Sequence, residues 1–349
     1  MRSCSSIGTH VPPAQPTTHS SNDAQTWVMF LFLAAIWGSS FLFIKVGLDE
    51  GVAPMTIVSL RTFFASLLLG GVLLARGGRL PLQWDVWKRM VFLGVSNIVV
   101  PFALIAWGQQ YIPSGLASIL NAMVPLFTAV LAAVALADEH ITVARLAGLG
   151  IGFGGVVLLA LPSLELAQAD ADAALAVAGM VAVVLAAIFY AIASVYTRRR
   201  LTGHAIIRRP DGSARAPSPA EISFGSAFSA FVIITVMAVL FERPEGGLYA
   251  IPASSLAWLA MIWLGALGTG VAYLLFFRLI ERWGATRTTL VTYVIPVVAI
   301  ALGFAVLGER LRPLELAGAV LILGGVVLVN ANVGQRPLFR RAKAGVSAD

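Results

Sequence analysis

Ten apolar stretches, separated by short polar turns, run along the chain at residues 27–47, 56–75, 90–108, 114–137, 145–161, 174–196, 222–241, 255–279, 286–307 and 313–330. Each is close to the length of about 20 residues that crosses a hydrocarbon core at about 1.5 Å per residue. Strands crossing a bilayer would need only about ten residues of alternating polarity, so a barrel is excluded. The breaks carry turn-forming residues, among them 51–54, Gly77-Gly78, Ile112-Pro113, Asp138-Glu139, Pro162, 210–219, Gly246-Gly247 and Gly308-Glu309. The pattern predicts an all-α membrane protein of ten transmembrane helices.

The second half of the pattern echoes the first. Leu146-Ala147-Gly148 returns 170 residues later as Leu316-Ala317-Gly318, Gly154-Gly155-Val156-Val157-Leu158 returns as Gly324-Gly325-Val326-Val327-Leu328, and Glu139 maps to Glu309. One inserted residue shifts the register to 171 upstream, where Pro125 maps to Pro296 and Leu93-Gly94 to Leu264-Gly265. The chain is a tandem duplication. Its expected domains are a disordered tail over 1–22, a first repeat over 23–163, a second over 164–331 and a basic cytoplasmic tail over 332–349. Five spans is an odd number, so the second repeat enters the membrane opposite to the first, an inverted arrangement that places a substrate site near the midplane between two halves that can rock.

Composition agrees. The mean hydropathy is +0.87, with 58% hydrophobic and 12% charged residues, far from the quarter-charged make-up of soluble domains. The formal charge of +7 is explained by its distribution rather than by nucleic acid. With the N-terminus inside, nineteen Lys and Arg fall in inner segments and only Arg243, Arg310 and Arg312 in outer ones, which predicts both termini in the cytoplasm. Cys4 is the single cysteine, so no intrachain disulfide forms, and residues 1–22 lack the apolar core of a secretory signal.

Candidate chemistry is sparse. In the fourth span Ser114, Ser118, Asn121 and Pro125 share one helical face, and the echo carries Ala285, Thr289, Thr292 and Pro296. Proline within a helix frees a carbonyl and kinks the rod, which lipid tolerates only beside neighbours or a wet cavity. These faces are read as cavity-lining, with Pro125 and Pro296 as hinges; the plainer alternative is helix-to-helix packing of small polar residues. Trp37 and Ser40 lie halfway along the first span, and the positional counterpart of that stretch is Phe189-Tyr190. Asn97, four residues before Pro101, and Tyr293, beside Thr292, complete the candidate cavity set. Lys45 and Arg61 are the only charges well inside spans. Both are read as structural, snorkelling towards the outer surface or pairing with Asp49 and Glu50, against the alternative of direct substrate contact. Gly148, Gly152, Gly154-Gly155, Gly318 and Gly324-Gly325 are expected to let two backbones approach closely. The four histidines fall in tails or loops, so no catalytic arrangement, metal site or cofactor is expected.

Trp37-Gly38-Ser39-Ser40-Phe41 with Lys45, then Arg61, Pro125, Gly308-Glu309-Arg310 and the Ala147-Gly148 and Gly154-Gly155-Val156-Val157 ends of each repeat resemble the EamA-type exporters of the drug/metabolite transporter superfamily. The resemblance spans about residues 27–331. It implies a bacterial inner-membrane permease with two repeated domains, often exporting amino acids or related metabolites through a central cavity. Two departures stand out: Asp138-Glu139-His140 where the second half has Gly308-Glu309-Arg310, and an unusually long basic loop over 198–219.

The expected function is secondary transport of a small neutral or zwitterionic metabolite by alternating access. The expected partners are the lipid bilayer and that small molecule, with no nucleic acid, and a monomer is compatible with the pattern. Rival readings are an intramembrane enzyme or a non-transporting scaffold, and, among transporters, a purine, nucleoside or sugar-type permease. Every Asp and Glu falls in a tail, a loop or the terminal turn of a span. With no carboxylate at membrane depth, extrusion of lipophilic cations is not expected, and facilitated diffusion down a metabolite gradient is the default mechanism.

Overall fold

A computed structural model describes residues 23–78, 83–135, 142–166, 170–201, 203–208, 212–242, 252–283, 288 and 290–330. The expected N-terminal tail, the basic C-terminal tail, Glu139, Ala285 and Thr289 lie outside the described residues. Helices dominate: α1 (Asp23–Asp49), α2 (Pro54–Ala75), α3 (Trp84–Gly94), α4 (Val100–Gly108), α5 (Ser114–Asn121), α6 (Val124–Ala135), α7 (Val143–Leu166), α8 (Ala171–Arg200), α9 (Pro219–Phe241), α10 (Ser255–Ile262), α11 (Ala272–Trp283), α12 (Val291–Leu307) and α13 (Pro313–Asn330). Among the described residues eight helical stretches, counting α3 to α4, α5 to α6 and α10 to α11 as continuous, are long and apolar enough to cross a membrane; α12 and α13 are shorter apolar helices. The chain is an all-α membrane protein.

Three of the predicted spans are not plain α-helices. Between α3 and α4, residues Val95–Val99 form a π-helical turn. Pro101 follows at once, and its missing N–H and its ring against the Asn97 carbonyl make the widened turn the accommodating geometry. Between α10 and α11 a longer π segment, Trp263–Val271, carries Gly265, Gly268 and Gly270. Since Leu93-Gly94 and Leu264-Gly265 are repeat equivalents, the two π segments occupy matching places. The fourth predicted span is broken at residues 122–123, so Pro125 stands in the first turn of α6 and not within a continuous helix. Its partner Pro296 does lie inside a helix, α12.

Close packing follows the duplicated glycines. A Cβ on Gly148 would come within 2.6 Å of the Gly325 carbonyl oxygen, and one on Gly155 within 2.7 Å of the Gly318 oxygen, so α7 and α13 touch backbone to backbone. Exchanging the repeats maps one pair onto the other. Gly152 is also closed, by Leu126, whereas Gly154 and Gly324 have open space. The same relation holds where Gly94 meets the Ser226 carbonyl on α9 and Gly265 meets the Arg61 carbonyl on α2, at 2.7 and 2.5 Å from an added Cβ. Pro54 and Arg61 each precede Pro219 and Ser226 by 165 residues, which makes Ser226 the positional counterpart of Arg61.

Each end of the bundle is tied differently. At one end two carboxylates cap helix N-termini on another helix. Glu242, just after α9, accepts from the Met55 and Thr56 N–H groups at 2.7 and 2.8 Å and from the Thr56 hydroxyl at 3.1 Å. Glu309, just after α12, accepts from the Ser114 N–H and hydroxyl, both at 2.8 Å, and from the Gly115 N–H at 3.2 Å. A carboxylate there satisfies orphan donors and complements the positive end of the helix dipole. The opposite end is basic: Arg89 donates to the Arg200 carbonyl and Arg282 to Gln25. The long basic loop contains a two-stranded antiparallel ladder of β1 (Ile207–Arg208) and β2 (Ala214–Arg215), a strand element absent from the helical expectation. It is fastened to α3 by Gln83 and Arg208 and to α9 by Arg215, which donates to both Glu221 oxygens at 2.6 and 2.7 Å. Those hydrogen bonds hold the Arg215 guanidinium above its usual pKa.

Overpacking a tight contact costs about 1–3 kcal/mol. Gly155→Leu should therefore melt well below the parent protein in detergent, while Gly154→Leu, one residue away in open space, should melt like the parent. Equal melting of the two would contradict the α7–α13 packing. Likewise Glu309→Ala removes three accepted hydrogen bonds, each of which contributes on the order of 1 kcal/mol. A clear drop in melting temperature is expected, against none for Glu281→Ala at an exposed position on α11.

Candidate functional site

Arg61 does not behave as the sequence suggested. It lies seven residues from the start of α2, about 10 Å along the axis, which is near enough to a helix end for snorkelling. The side chain turns inward instead and is 6% exposed. It pairs with neither Asp49 nor Glu50, and among the described residues no carboxylate salt-bridges it. Lys45 does stay near the end of its helix, 3.7 Å from Asp49 and donating to the Gln109 carbonyl at 3.1 Å.

Residues from both halves surround Arg61. Its guanidinium carbon stands 3.8 Å from the centroid of the Phe102 ring on α4, a cation–π contact that partly replaces lost hydration. Its Nε donates to the Thr269 hydroxyl at 2.9 Å, and that hydroxyl donates to the Leu264 carbonyl at 3.1 Å, inside the second π segment. Tyr190 on α8 and Tyr273 on α11 are within electrostatic range of the charge. Asn97, in the first π segment, donates to the Tyr273 hydroxyl at 3.0 Å, and Tyr190 meets Phe102 edge-on at 6.3 Å. Asn97, Tyr190 and Tyr273 are each half-buried. The two π segments are what bring Asn97 and Thr269 inward, because a wider turn rotates the following residues relative to a regular helix.

Around this cluster α1 supplies further contacts. The Trp263 indole donates to Ser39 at 3.0 Å and its ring packs on Phe43 at 4.9 Å. Trp37 lies against Phe276, ring centroids 5.4 Å apart. Ser40 is buried, donates to the Ile36 carbonyl at 3.1 Å, and its hydroxyl would be 3.0 Å from a Cβ on Gly268.

The remaining candidates separate from this cluster. Ser118 is fully buried and donates within its own helix to Gly115 at 2.6 Å. Tyr293 donates to the Val326 carbonyl at 3.0 Å, which ties α12 to α13. Thr292 is half-buried beside it. Asn121 ends α5 at the helix break, and its amide oxygen is buried with no partner among the described residues. Sequence reasoning missed Phe102, Thr269, Tyr273 and Trp263. The signal for two of them was present, since Thr269 and Tyr273 are four residues apart on one face, but helical spacing is distorted by the π segment that carries Thr269.

Two clefts on the surface lie elsewhere. One of about 400 Å³ sits at the turn between α1 and α2, beside Lys45 and Asp49. The other, of about 570 Å³, is lined wholly by apolar residues, including Phe127, Leu146 and Phe153, as a lipid-facing groove would be. Among the described residues no group of three or more His, Cys, Asp or Glu could hold a metal ion.

The model of the EamA-like transporter family matches residues 25–161 and again 177–331. An uncharacterized transporter of Archaeoglobus fulgidus is 26% identical, over 87% of this chain and 98% of its own. A probable terminal-alkyne amino-acid exporter of Streptantibioticus cattleyicolor is 27% identical, over 91% and 96%. The uncharacterized inner membrane transporter YedA of Escherichia coli K12 is 27% identical, over 85% and 88%. A crystal structure superposes with a TM-score of 0.57 at 20% identity, covering 87% of this chain and 96% of that one, a likeness of fold. With two matched segments that take in most of its length, and with its apolar helices, the chain belongs to the EamA-like transporter family, within the drug/metabolite transporter superfamily.

Proposed function

We propose that the protein is a secondary transporter that exports a small neutral or zwitterionic metabolite, an amino acid or a related compound, across the inner membrane by alternating access. The observation that carries this is the cluster around Arg61, to which the first half contributes Arg61, Asn97 and Phe102 and the second half Tyr190, Thr269 and Tyr273. A site assembled from both halves is made and unmade when one half rocks against the other. The named amino-acid exporter and the inner membrane transporter among its relatives support the cargo class and the location.

In this reading ten spans form two inverted five-helix repeats over 23–163 and 164–331, with both termini cytoplasmic. The exchanged glycine pairs, the matched π segments and the basic end opposite the Glu242 and Glu309 caps support it. The caps then lie at the outer end, where each joins a helix of one half to a helix of the other. Pro296 removes a donor to the Thr292 carbonyl within α12 and, with Pro125 beside the break before α6, supplies the flexible points. Described carboxylates lie at helix ends and turns, so transport runs down the metabolite gradient.

Purified protein in proteoliposomes should show saturable counterflow of small amino acids, with no uphill accumulation under an inward proton gradient. Accumulation that collapses with a protonophore would overturn the facilitated mechanism, and absence of counterflow for every amino acid would overturn the cargo class. Pro296→Ala should slow turnover several-fold with little change in half-saturating concentration. With Cys4 replaced, Asn121→Cys and Thr292→Cys should both react with small water-soluble thiol reagents; two unreactive thiols in a transporting protein would remove the fourth and ninth spans from the cavity.

A further inference from the structure

We infer that Arg61 is the anchor for the carboxylate group of a zwitterionic cargo, whose body is apolar or aromatic. The inference rests on the transporter reading and names the chemistry of its site. A guanidinium that is 6% exposed in a membrane bundle is held at considerable cost unless a counter-charge reaches it, and no described carboxylate does. Only part of its hydrogen-bonding capacity is used. Nε donates to Thr269 and the plane rests over Phe102, while Nη1 and Nη2 find no acceptor among the described residues. Other basic side chains of the bundle are spent on structure: Lys45 on the Gln109 carbonyl, Arg89 on the Arg200 carbonyl, Arg215 on Glu221 and Arg282 on Gln25.

The two unengaged nitrogens set the geometry of the group they can bind. A planar fork presenting parallel N–H donors matches a carboxylate in bidentate fashion. On one side the fork is bounded by Gly268, where a Cβ would lie 3.9 Å from Nη2 and 3.0 Å from the Ser40 hydroxyl. A dianionic phosphate would ask for a second cation, and Lys45 is committed elsewhere. The walls are the rings of Phe102, Tyr190 and Tyr273, which suit an apolar body. No described acidic side chain awaits an ammonium, so an amino group is tolerated without being required. Ser226, the counterpart of Arg61 in the second half, is uncharged and donates to the Ile222 carbonyl at 2.8 Å. The site therefore has one anchor and holds the cargo in one orientation.

The test measures binding to the full-length purified protein by quenching of tryptophan fluorescence, with propionate, 3-phenylpropionate, phenylalanine, phenylalaninamide and phenethylamine as probes, and flux of the same compounds in proteoliposomes. The acids should bind at least tenfold tighter than the amide and the amine, and 3-phenylpropionate tighter than propionate. Arg61→Gln should bring the acids down to the level of the amide, with Arg61→Lys between. Thr269→Val leaves the charge but frees the fork, and should weaken the acids several-fold and the amide not at all; it carries the test if Arg61→Gln does not fold. Equal binding of acid and amide, acid binding unchanged in Arg61→Gln, or no acid binding to the folded parent at millimolar concentration would each overturn the anchor. Binding that depends on Arg61 without any flux would keep the anchor and sink the transporter reading. Flux of acid and amide at equal rates would do the reverse.

Discussion

Taking the Arg61 guanidinium out of water with no described carboxylate beside it costs several kcal/mol even after relaxation, and the centre of the bundle is built to contain that cost. Phe102 offers a ring face and Thr269 a hydroxyl, and Asn97 and Tyr273 bond each other rather than compete for the charge. Asn97 and Thr269 reach the centre through departures from regular α-helix, and Phe102 and Tyr273 follow within a few residues on α4 and α11. Pro101 forces the turn that carries Asn97, and three glycines loosen the turn that carries Thr269. A regular ladder through either segment would place both polar groups differently, so the helical irregularities and the buried cation belong to one arrangement.

Sequence correspondences between the two halves run through the frame, and the residues around Arg61 are where those correspondences lapse. Glycine pairs, π segments and the contacts of Gly94 and Gly265 all recur at repeat-related places. Against that background Arg61 stands opposite Ser226, Asn97 opposite Gly268, and Pro125 in a first helical turn opposite Pro296 within a helix. In each pair one copy has kept a structural role while the other carries a polar, open or bent feature. A symmetric pair of arginines would repel at short range in a low-dielectric interior, so a single charged copy is the stable outcome.

Much of the frame was legible because it depends on local pattern. Apolar runs of span length, turn residues and the repeated glycines are read directly from residue order, and the glycines assigned to close packing do pack closely at Gly148, Gly155, Gly318 and Gly325. Gly154 and Gly324 were grouped with them only because they are adjacent, and a one-residue step of about 100° turns them away. The site was legible in part. Asn97 and Tyr190 were named, but Ser118 and Ser40 carry hydroxyls that bond their own helices, which composition cannot reveal. Arg61 was placed by counting from the helix end, although direction of the side chain, set by packing with Phe102, decides its environment. Phe102 and Tyr273 were hidden because an aromatic residue in a span has the same local signature whether it faces lipid or a polar centre.

The contact between α7 and α13 has a further consequence. Where two helices are spaced by side chains, a substitution on one can be absorbed by a smaller neighbour on the other, and the separation drifts as a lineage diverges. Here the spacing is set by carbonyl oxygens against glycine α-carbons. No compensating substitution exists for a backbone atom. The pair therefore acts as a strut of fixed gauge, and any remodelling of the bundle for a new cargo must be accommodated by the other helices around it.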